Sequence, residues 1–137
     1  GFTVVVATNQ SGLGRGLFDA DALMVIHEKM LKLVGLHGGS IDQIVFCPHL
    51  PDDGCNCRKP RSGMLRQLAK DYDVALGGIP VIGASLRDID AAIEVKGRPI
   101  VVLAGKGMVT AAELNAAGRH VESFANLADA ATVLIAE

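Results

Sequence analysis

The residues best suited to chemistry are three cysteines and a histidine that lie close together in the chain. Cys47, His49, Cys55 and Cys57 follow the pattern C-x-H-x5-C-x-C within eleven residues. Three thiolates and one imidazole complete the tetrahedral shell that zinc prefers, so no position remains for a reacting water molecule. The pattern therefore predicts a structural zinc ion that stabilises a loop too rich in Pro and Gly to form its own core.

The same segment has other interpretations. One is three unrelated thiols beside a surface histidine, but four ligand-type residues in so short a stretch argue against coincidence. The spacing also differs from that of a nucleic-acid zinc finger, whose second ligand pair lies about a dozen residues further on. Because the chain has three cysteines in total, a disulfide framework is disfavoured. We expect the protein to reside in the reducing cytoplasm.

Two polar segments are suited to binding a phosphate group. Residues 8–12, Thr-Asn-Gln-Ser-Gly, follow a predicted strand, and ligands of open α/β sheets bind at the carboxyl ends of strands. Arg58 and Lys59 directly follow the last cysteine, and two adjacent cations on a metal-held loop can neutralise a phosphate. Both segments have ordinary alternatives, since polar turns after strands are common and most such cation pairs are simply solvated.

A third segment, residues 83–88, again lies between a predicted strand and a predicted helix. Its ordinary interpretation is a helix-capping turn, in which Ser85 is the cap and Asp88 complements the helix dipole. Taken alone, this segment does not require a function.

An alternation of strands and helices joins these segments. Continuous apolar and β-branched runs predict buried strands over residues 3–8, 44–46, 80–83 and 99–103, with a short edge strand at 120–121. Helical periodicity and capping residues predict helices from Asp19 or Asp21 to about residue 35, and over 62–72, 86–95 and 126–135. A capping box of Thr110 and Glu113 predicts the start of one more helix. This order predicts an α/β fold with a parallel sheet covered by helices on both faces.

Composition narrows the class of protein. Half of the 137 residues are apolar, which supplies the core of one domain. Thirteen Lys and Arg stand against fifteen Asp and Glu, so the net charge of -2 offers no basic surface for nucleic acid or an anionic membrane. No apolar run approaches the ~18 residues of a membrane span. We therefore expect neither a nucleic-acid partner nor a membrane partner.

In their order and spacing, residues 8–12, the Cys/His segment with Arg58-Lys59-Pro60, and residues 83–88 resemble the zinc-containing phosphatases of the haloacid dehalogenase-like superfamily. The resemblance covers essentially the whole chain and implies one three-layer, Rossmann-like domain over residues 1–137. It also implies transfer of phosphate from a sugar phosphate through an aspartyl-phosphate, with Mg²⁺ bridging carboxylates and phosphate. Positioning and charge neutralisation dominate such reactions.

The resemblance implies a role for each matching residue. Thr8 corresponds to the hydroxyl that holds the transferring phosphoryl group, and Lys59 to the cation that stabilises its charge. The resemblance assigns substrate binding to Asn9, Gln10, Ser11 and Arg58, and the structural zinc to Cys47, His49, Cys55 and Cys57. Ser11 and residues 15–18 are more similar to the heptose bisphosphate phosphatases of lipopolysaccharide precursor synthesis than to the histidinol-phosphate phosphatases.

Two departures from the family pattern bear on activity. The family's nucleophile is the first Asp of an Asp-x-Asp motif on a strand upstream of this sequence, and no such motif at a strand end replaces it. Asp88-Ile89-Asp90 has the spacing, but it lies in a predicted helix, where the two carboxylates diverge. Ala84 stands where the family has a Mg²⁺-binding Asp, which leaves Asp88 as a supporting group on the magnesium side. We expect little or no hydrolysis of sugar phosphates by this chain as written.

The absent strand also has a structural consequence. In the family it lies between the strands of residues 3–8 and 80–83, so we expect an N-terminally incomplete domain with unpaired backbone on both. An upstream segment or direct pairing of the two strands would give the monomer that we expect, whereas a strand from a partner would give an oligomer. Two other functions stay open: a histidinol-phosphate phosphatase, and a non-catalytic phosphate-binding module held by zinc, which Ala84 favours.

Overall fold

The computed structural model describes residues 1–137, which divide into two compact units, Gly1–Arg58 and Lys59–Glu137. The first unit contains β1 (Val5–Asn9), α1 (Ser11–Gly14), α2 (Ala20–Leu36) and β2 (Gln43–Cys47). The second contains α3 (Gly63–Tyr72), β3 (Pro80–Gly83), α4 (Leu86–Glu94), β4 (Arg98–Val102), α5 (Gly107–Ala116), β5 (Glu122–Phe124) and α6 (Leu127–Ala136). Strands and helices alternate as the sequence predicts.

The first unit is built on one parallel strand pair. β1 pairs with β2 in a register that sets Thr8 opposite Phe46 and Asn9 opposite Cys47. The polar segment after β1 and the Cys/His segment after β2 therefore leave the same end of the pair. Helix α2 connects the two strands. Of the two predicted caps, Asp19 is the one that caps it, by accepting a hydrogen bond from the Ala22 N–H at 2.8 Å.

The second unit has the layered arrangement that the sequence predicts. β3, β4 and β5 form a parallel sheet in that order. Neighbouring residues of β4 point to opposite faces, and both faces are buried. Val101 packs with Ile89 and Leu114 from α4 and α5, whereas Ile100 packs with Ala130 and Leu134 from α6. Helices therefore cover the sheet on both sides, which confirms the predicted α/β class.

Three local predictions are wrong. The helix expected to start at Thr110 starts at Gly107, because the Thr110 hydroxyl donates to the Ala84 carbonyl at 2.8 Å instead of capping a helix with Glu113. Ser62 occupies the cap position of α3 without a capping hydrogen bond, since its hydroxyl accepts from Arg66 Nε at 2.8 Å. The edge strand predicted at 120–121 lies two residues later, as β5.

The two strands that the sequence treats as flanking an absent one belong to different sheets. β1 pairs with β2, and β3 pairs with β4. Direct pairing between them, one of the three outcomes considered above, is thus not part of either sheet. No helix in the structure combines the length and the apolar character needed to cross a bilayer.

Replacement of Ile89 by Ala tests the core of the second unit. Ile89 is fully buried, and Ile93 in the same helix is 44% exposed. Removing the buried side chain leaves a cavity beside Val101 and Leu114, so we expect Ile89→Ala to lower the free energy of unfolding by about 2–5 kcal/mol. Ile93→Ala is the matched control and should cost less than about 1 kcal/mol. Urea unfolding of both variants measures the difference, and equal losses would contradict the assigned core.

Candidate metal centre and phosphate loops

The four predicted ligands come together in the first unit. The ligand atoms of Cys47, His49, Cys55 and Cys57 all lie within 4.8 Å of one another. The two sulfurs of Cys47 and Cys55 are 3.7 Å apart, and His49 Nδ1 lies 3.4 Å from the Cys47 sulfur and 3.2 Å from that of Cys57. In a tetrahedron with bonds of zinc length, S–S edges measure about 3.8 Å and S–N edges about 3.6 Å. The donor set thus fits one tetrahedral metal ion.

Crowding of the thiols makes their ionisation interdependent. Burial opposes ionisation of Cys55, but hydrogen bonds from the Arg58 backbone and from Cys57 and Cys47 outweigh it and lower the pKa to about 6. Burial raises the pKa of Cys57, and the neighbouring thiols Cys47 and Cys55 raise it further, to about 12. A second thiolate is unfavourable beside the first, and a divalent cation among them would remove that penalty.

The loop that carries these ligands is shaped by a short turn, and we call residues 47–57 the metal loop. The Leu50 N–H donates to the Asp53 carboxylate at 2.8 Å, and the Asp53 N–H donates to the Leu50 carbonyl at 3.1 Å. Gly54 follows with a φ of 71°, in the left-handed region that glycine adopts without strain. This turn reverses the chain, so that Cys55 and Cys57 face Cys47 and His49.

The predicted substrate loop begins at the end of β1 and includes a helical turn that the sequence did not predict, α1. Gln10 Nε2 donates to the Thr8 hydroxyl at 3.2 Å. Two backbone bonds tie the loop to the metal loop: Gln10 N–H donates to the Cys47 carbonyl at 2.8 Å, and Gly14 N–H to the Pro48 carbonyl at 3.1 Å. The structure therefore places the predicted substrate residues beside the metal centre.

Arg58, the last residue of the first unit, has a hydrogen-bond donor without a partner. Its Nη1 atom is buried and has no hydrogen-bond partner. A buried guanidinium nitrogen without a partner is costly, and an anionic ligand would supply the missing acceptor. This observation fits the predicted role of Arg58 in recognising a phosphorylated substrate.

In the second unit Lys59 is paired with Asp88. Lys59 Nζ lies 2.5 Å from Asp88 Oδ1, and both side chains are mostly buried. The other oxygen of Asp88 accepts from the Ala84 and Ser85 backbone N–H groups at 3.2 and 3.1 Å. Burial opposes ionisation of Asp88, but the hydrogen bond and charge of Lys59, together with Ser85, outweigh it and lower the pKa below its usual value. Asp88 thus holds the Lys59 ammonium in place.

The segment around Asp88 is a capping turn, as its ordinary interpretation predicts. Ser85 and Asp88 form a full capping box at the start of α4. Gly83 makes this possible, because a Cβ there would lie 2.3 Å from the Cβ of Asp88. Asp90 pairs with Arg119 at 2.6 Å, so the carboxylates of Asp88-Ile89-Asp90 serve separate partners, as predicted. The Ala84 methyl group offers no metal ligand.

Comparison with known proteins defines the class first. A sequence model of the HAD-hydrolase-like family matches residues 56–135. This match covers more than half of the chain, and the parallel α/β layers agree with it. The chain belongs to the HAD-hydrolase-like family.

Individual relatives carry a more specific name. Proteins named D-glycero-beta-D-manno-heptose-1,7-bisphosphate 7-phosphatase from Bordetella bronchiseptica and Neisseria meningitidis are 53% and 41% identical over 82% and 100% of this chain. These alignments span 63% and 74% of the relatives, so the chain covers less than two thirds of the Bordetella protein. The solved structure of D,D-heptose 1.7-bisphosphate phosphatase from B. bronchiseptica, complexed with magnesium and phosphate, matches 97% of this chain and 74% of its own with a TM-score of 0.91 at 47% identity.

Two variants at Asp88 separate its cap from its charge. Asp88→Ala removes both the α4 cap partner and the carboxylate beside Lys59, so we expect a loss of about 1–3 kcal/mol of unfolding free energy. Asp88→Asn keeps a cap acceptor and should lose less. Glu94→Ala, at an exposed position of the same helix, is the control and should change stability by less than about 0.5 kcal/mol.

The pH dependence of these variants follows from the lowered pKa of Asp88. A carboxylate whose pKa falls on folding stabilises the protein above its unfolded pKa, and this contribution disappears as the pH falls through the folded pKa. The gap between the original chain and Asp88→Asn in urea unfolding should therefore shrink below about pH 4. A gap that stays constant down to the acid limit of folding would contradict a stabilising Lys59–Asp88 pair.

Proposed function

We propose that the protein is a Mg²⁺-dependent phosphomonoester hydrolase that acts on the 7-phosphate of D-glycero-D-manno-heptose 1,7-bisphosphate. The observation that carries this proposal is the name shared by relatives 41–53% identical over most of the chain. The buried Nη1 of Arg58 without a partner supports binding of an anionic substrate. Synthesis of lipopolysaccharide precursors in the cytoplasm is the corresponding biological setting.

The residue roles in this proposal divide into binding and charge stabilisation. Thr8 would hold the transferring phosphoryl group, and Lys59, oriented by Asp88, would stabilise its developing negative charge. The substrate would be bound by Asn9, Gln10, Ser11 and Arg58. Magnesium, when bound, would supply further neutralisation of phosphate charge, with Asp88 in support. Both Asp88 oxygens already accept hydrogen bonds, which suits a supporting role.

The zinc in this proposal is structural. Three thiolates and an imidazole at tetrahedral spacing are the donors that zinc selects. We further propose that residues 1–137 belong to one phosphatase domain and that the protein is a monomer. A solved structure that matches 97% of the chain supports the single domain.

We also propose that a polypeptide consisting of residues 1–137 alone turns over little or no sugar phosphate. The family resemblance puts the nucleophilic Asp on a strand upstream of these residues, and Ala84 replaces an expected magnesium ligand. Covalent phosphoryl transfer without its nucleophile loses most of its rate. Ala84 equally supports the second candidate, a non-catalytic phosphate-binding module, whereas a histidinol-phosphate phosphatase is the alternative enzyme.

Binding and turnover together test the proposed substrate. The 137-residue chain should bind heptose 1,7-bisphosphate at least about tenfold more tightly than histidinol phosphate in calorimetric titrations. Arg58→Ala should weaken that binding by about tenfold or more, because it removes a charge-assisted hydrogen-bond donor. Lys32→Ala, at an exposed position of α2, removes the same charge and should leave the binding unchanged.

Phosphate release in the presence of Mg²⁺ completes this test. Turnover of heptose bisphosphate by the 137-residue chain should lie about a thousandfold or more below that of the Bordetella phosphatase. Comparable turnover would contradict the predicted inactivity, and tighter binding of histidinol phosphate would contradict the heptose assignment. Preferential binding of heptose bisphosphate without turnover agrees with both the heptose assignment and the predicted inactivity.

Metal content tests the zinc proposal. Elemental analysis of purified protein should find one zinc ion per chain, and a chelator should lower the thermal midpoint of unfolding because the metal loop loses its crosslink. His49→Ala should lose most of the zinc, whereas His120→Ala, at an exposed position outside the loop, should retain it. Folded protein free of zinc, with a midpoint insensitive to chelator, would refute a structural zinc.

A further inference from the structure

Gly14 lies where the substrate loop meets the metal loop. Its N–H donates to the Pro48 carbonyl at 3.1 Å. A Cβ atom on Gly14 would lie 2.5 Å from that same carbonyl oxygen, a separation that two such atoms do not tolerate. Only glycine fits at this position, because a side chain of any size would push the two loops apart.

A second bond joins the loops on the other side of Ser11. The Gln10 N–H donates to the Cys47 carbonyl at 2.8 Å. Both acceptors lie at the metal centre, since Cys47 is one of the four ligand residues and Pro48 lies between Cys47 and His49. Pairing with Asn9 already holds Cys47 at the end of β2, and ligation of Cys47 and His49 would further restrict the directions of both carbonyl groups.

Within the segment, the Phe18 ring packs on Gly12, and outside it the bonds to the metal loop are the backbone contacts described above. Pairing between β1 and β2 ends at Asn9 and Cys47. Helix α1 spans four residues, which is one turn, and an isolated turn is unstable in water. Its internal bonds, such as Arg15 N–H to the Ser11 carbonyl at 2.9 Å, preserve its shape without fixing its position. The hydrogen bonds to the Cys47 and Pro48 carbonyls tie this turn to the metal loop.

We infer that Gly14 is a positioning residue through which metal occupancy sets the arrangement of Asn9, Gln10 and Ser11. Close packing of Gly14 on Pro48 transmits the ligated state of the metal loop to the substrate loop. Loss of the metal, or a methyl group at position 14, increases the mobility of the substrate loop and lowers its affinity for a phosphate group. The nature of the ligand rests on the proposed function, whereas the coupling of the two loops does not.

Amide hydrogen exchange measured by NMR tests the coupling without any substrate. On removal of zinc from the full chain, the Gln10 and Gly14 amides should exchange about tenfold faster or more, because their acceptors are no longer fixed. The Leu23 amide, which donates to the Asp19 carbonyl at 3.2 Å in the same unit, should keep its rate. Unchanged rates at Gln10 and Gly14, or equal acceleration at Leu23, would overturn the inference.

Two glycine variants in zinc-loaded protein isolate the packing from the metal. Gly14→Ala should accelerate exchange at Gln10 while zinc content stays at one per chain. Gly35→Ala is the matched control, since nothing lies within 4 Å of a Cβ added there, and it should leave the Gln10 rate unchanged. Identical rates at Gln10 in Gly14→Ala and the original chain would overturn the positioning role.

Titration with inorganic phosphate connects the coupling to function. Amide shifts of Asn9, Gln10 and Ser11 should report binding that is about fivefold or more weaker in Gly14→Ala than in Gly35→Ala. Equal affinities would overturn the claim that Gly14 positions the substrate loop. If phosphate binds to neither variant nor to the original chain, the proposed function fails, and the exchange rates alone decide the coupling.

Discussion

The convergence of three thiols and one imidazole at the carboxyl end of β2 is the constraint on which the first unit depends. The four ligand atoms lie within 4.8 Å of one another, and the pKa of Cys57 is raised by its neighbouring thiols Cys47 and Cys55 while that of Cys55 is lowered. A divalent ion turns this mutual repulsion into a crosslink. The polar loop after β1 is hydrogen-bonded to the metal loop through the carbonyl groups of Cys47 and Pro48.

The second unit depends on a single carboxylate in a comparable way. Asp88 belongs to the capping box of α4, accepts hydrogen bonds from the backbone N–H groups of Ala84 and Ser85, and pairs with Lys59. These tasks require Gly83, because any side chain there would collide with Asp88. A segment that looks like an ordinary helix cap in the sequence therefore also orients the cation proposed to stabilise phosphate. Structure and proposed chemistry use the same residue, so the two interpretations do not compete.

The sequence predicts well what depends on local chemistry. The positions of the strands, the start of the first long helix near Asp19 and the clustering of the Cys/His set all follow from patterns within a few residues. Prediction failed at Thr110 because a distant partner decides the outcome there. Thr110 looks like a cap but donates to Ala84, 26 residues away, and the role of Gly14 depends on Pro48, which sequence spacing does not bring near it.

The central claim is that Cys47, His49, Cys55 and Cys57 hold one zinc ion that organises the first unit. X-ray absorption at the zinc edge of the purified protein tests it most directly, because it reports the atoms bound to the metal. We expect three sulfur neighbours at about 2.3 Å and one nitrogen at about 2.0 Å. A shell made of oxygen and nitrogen alone, or no zinc signal from folded protein, would contradict the claim.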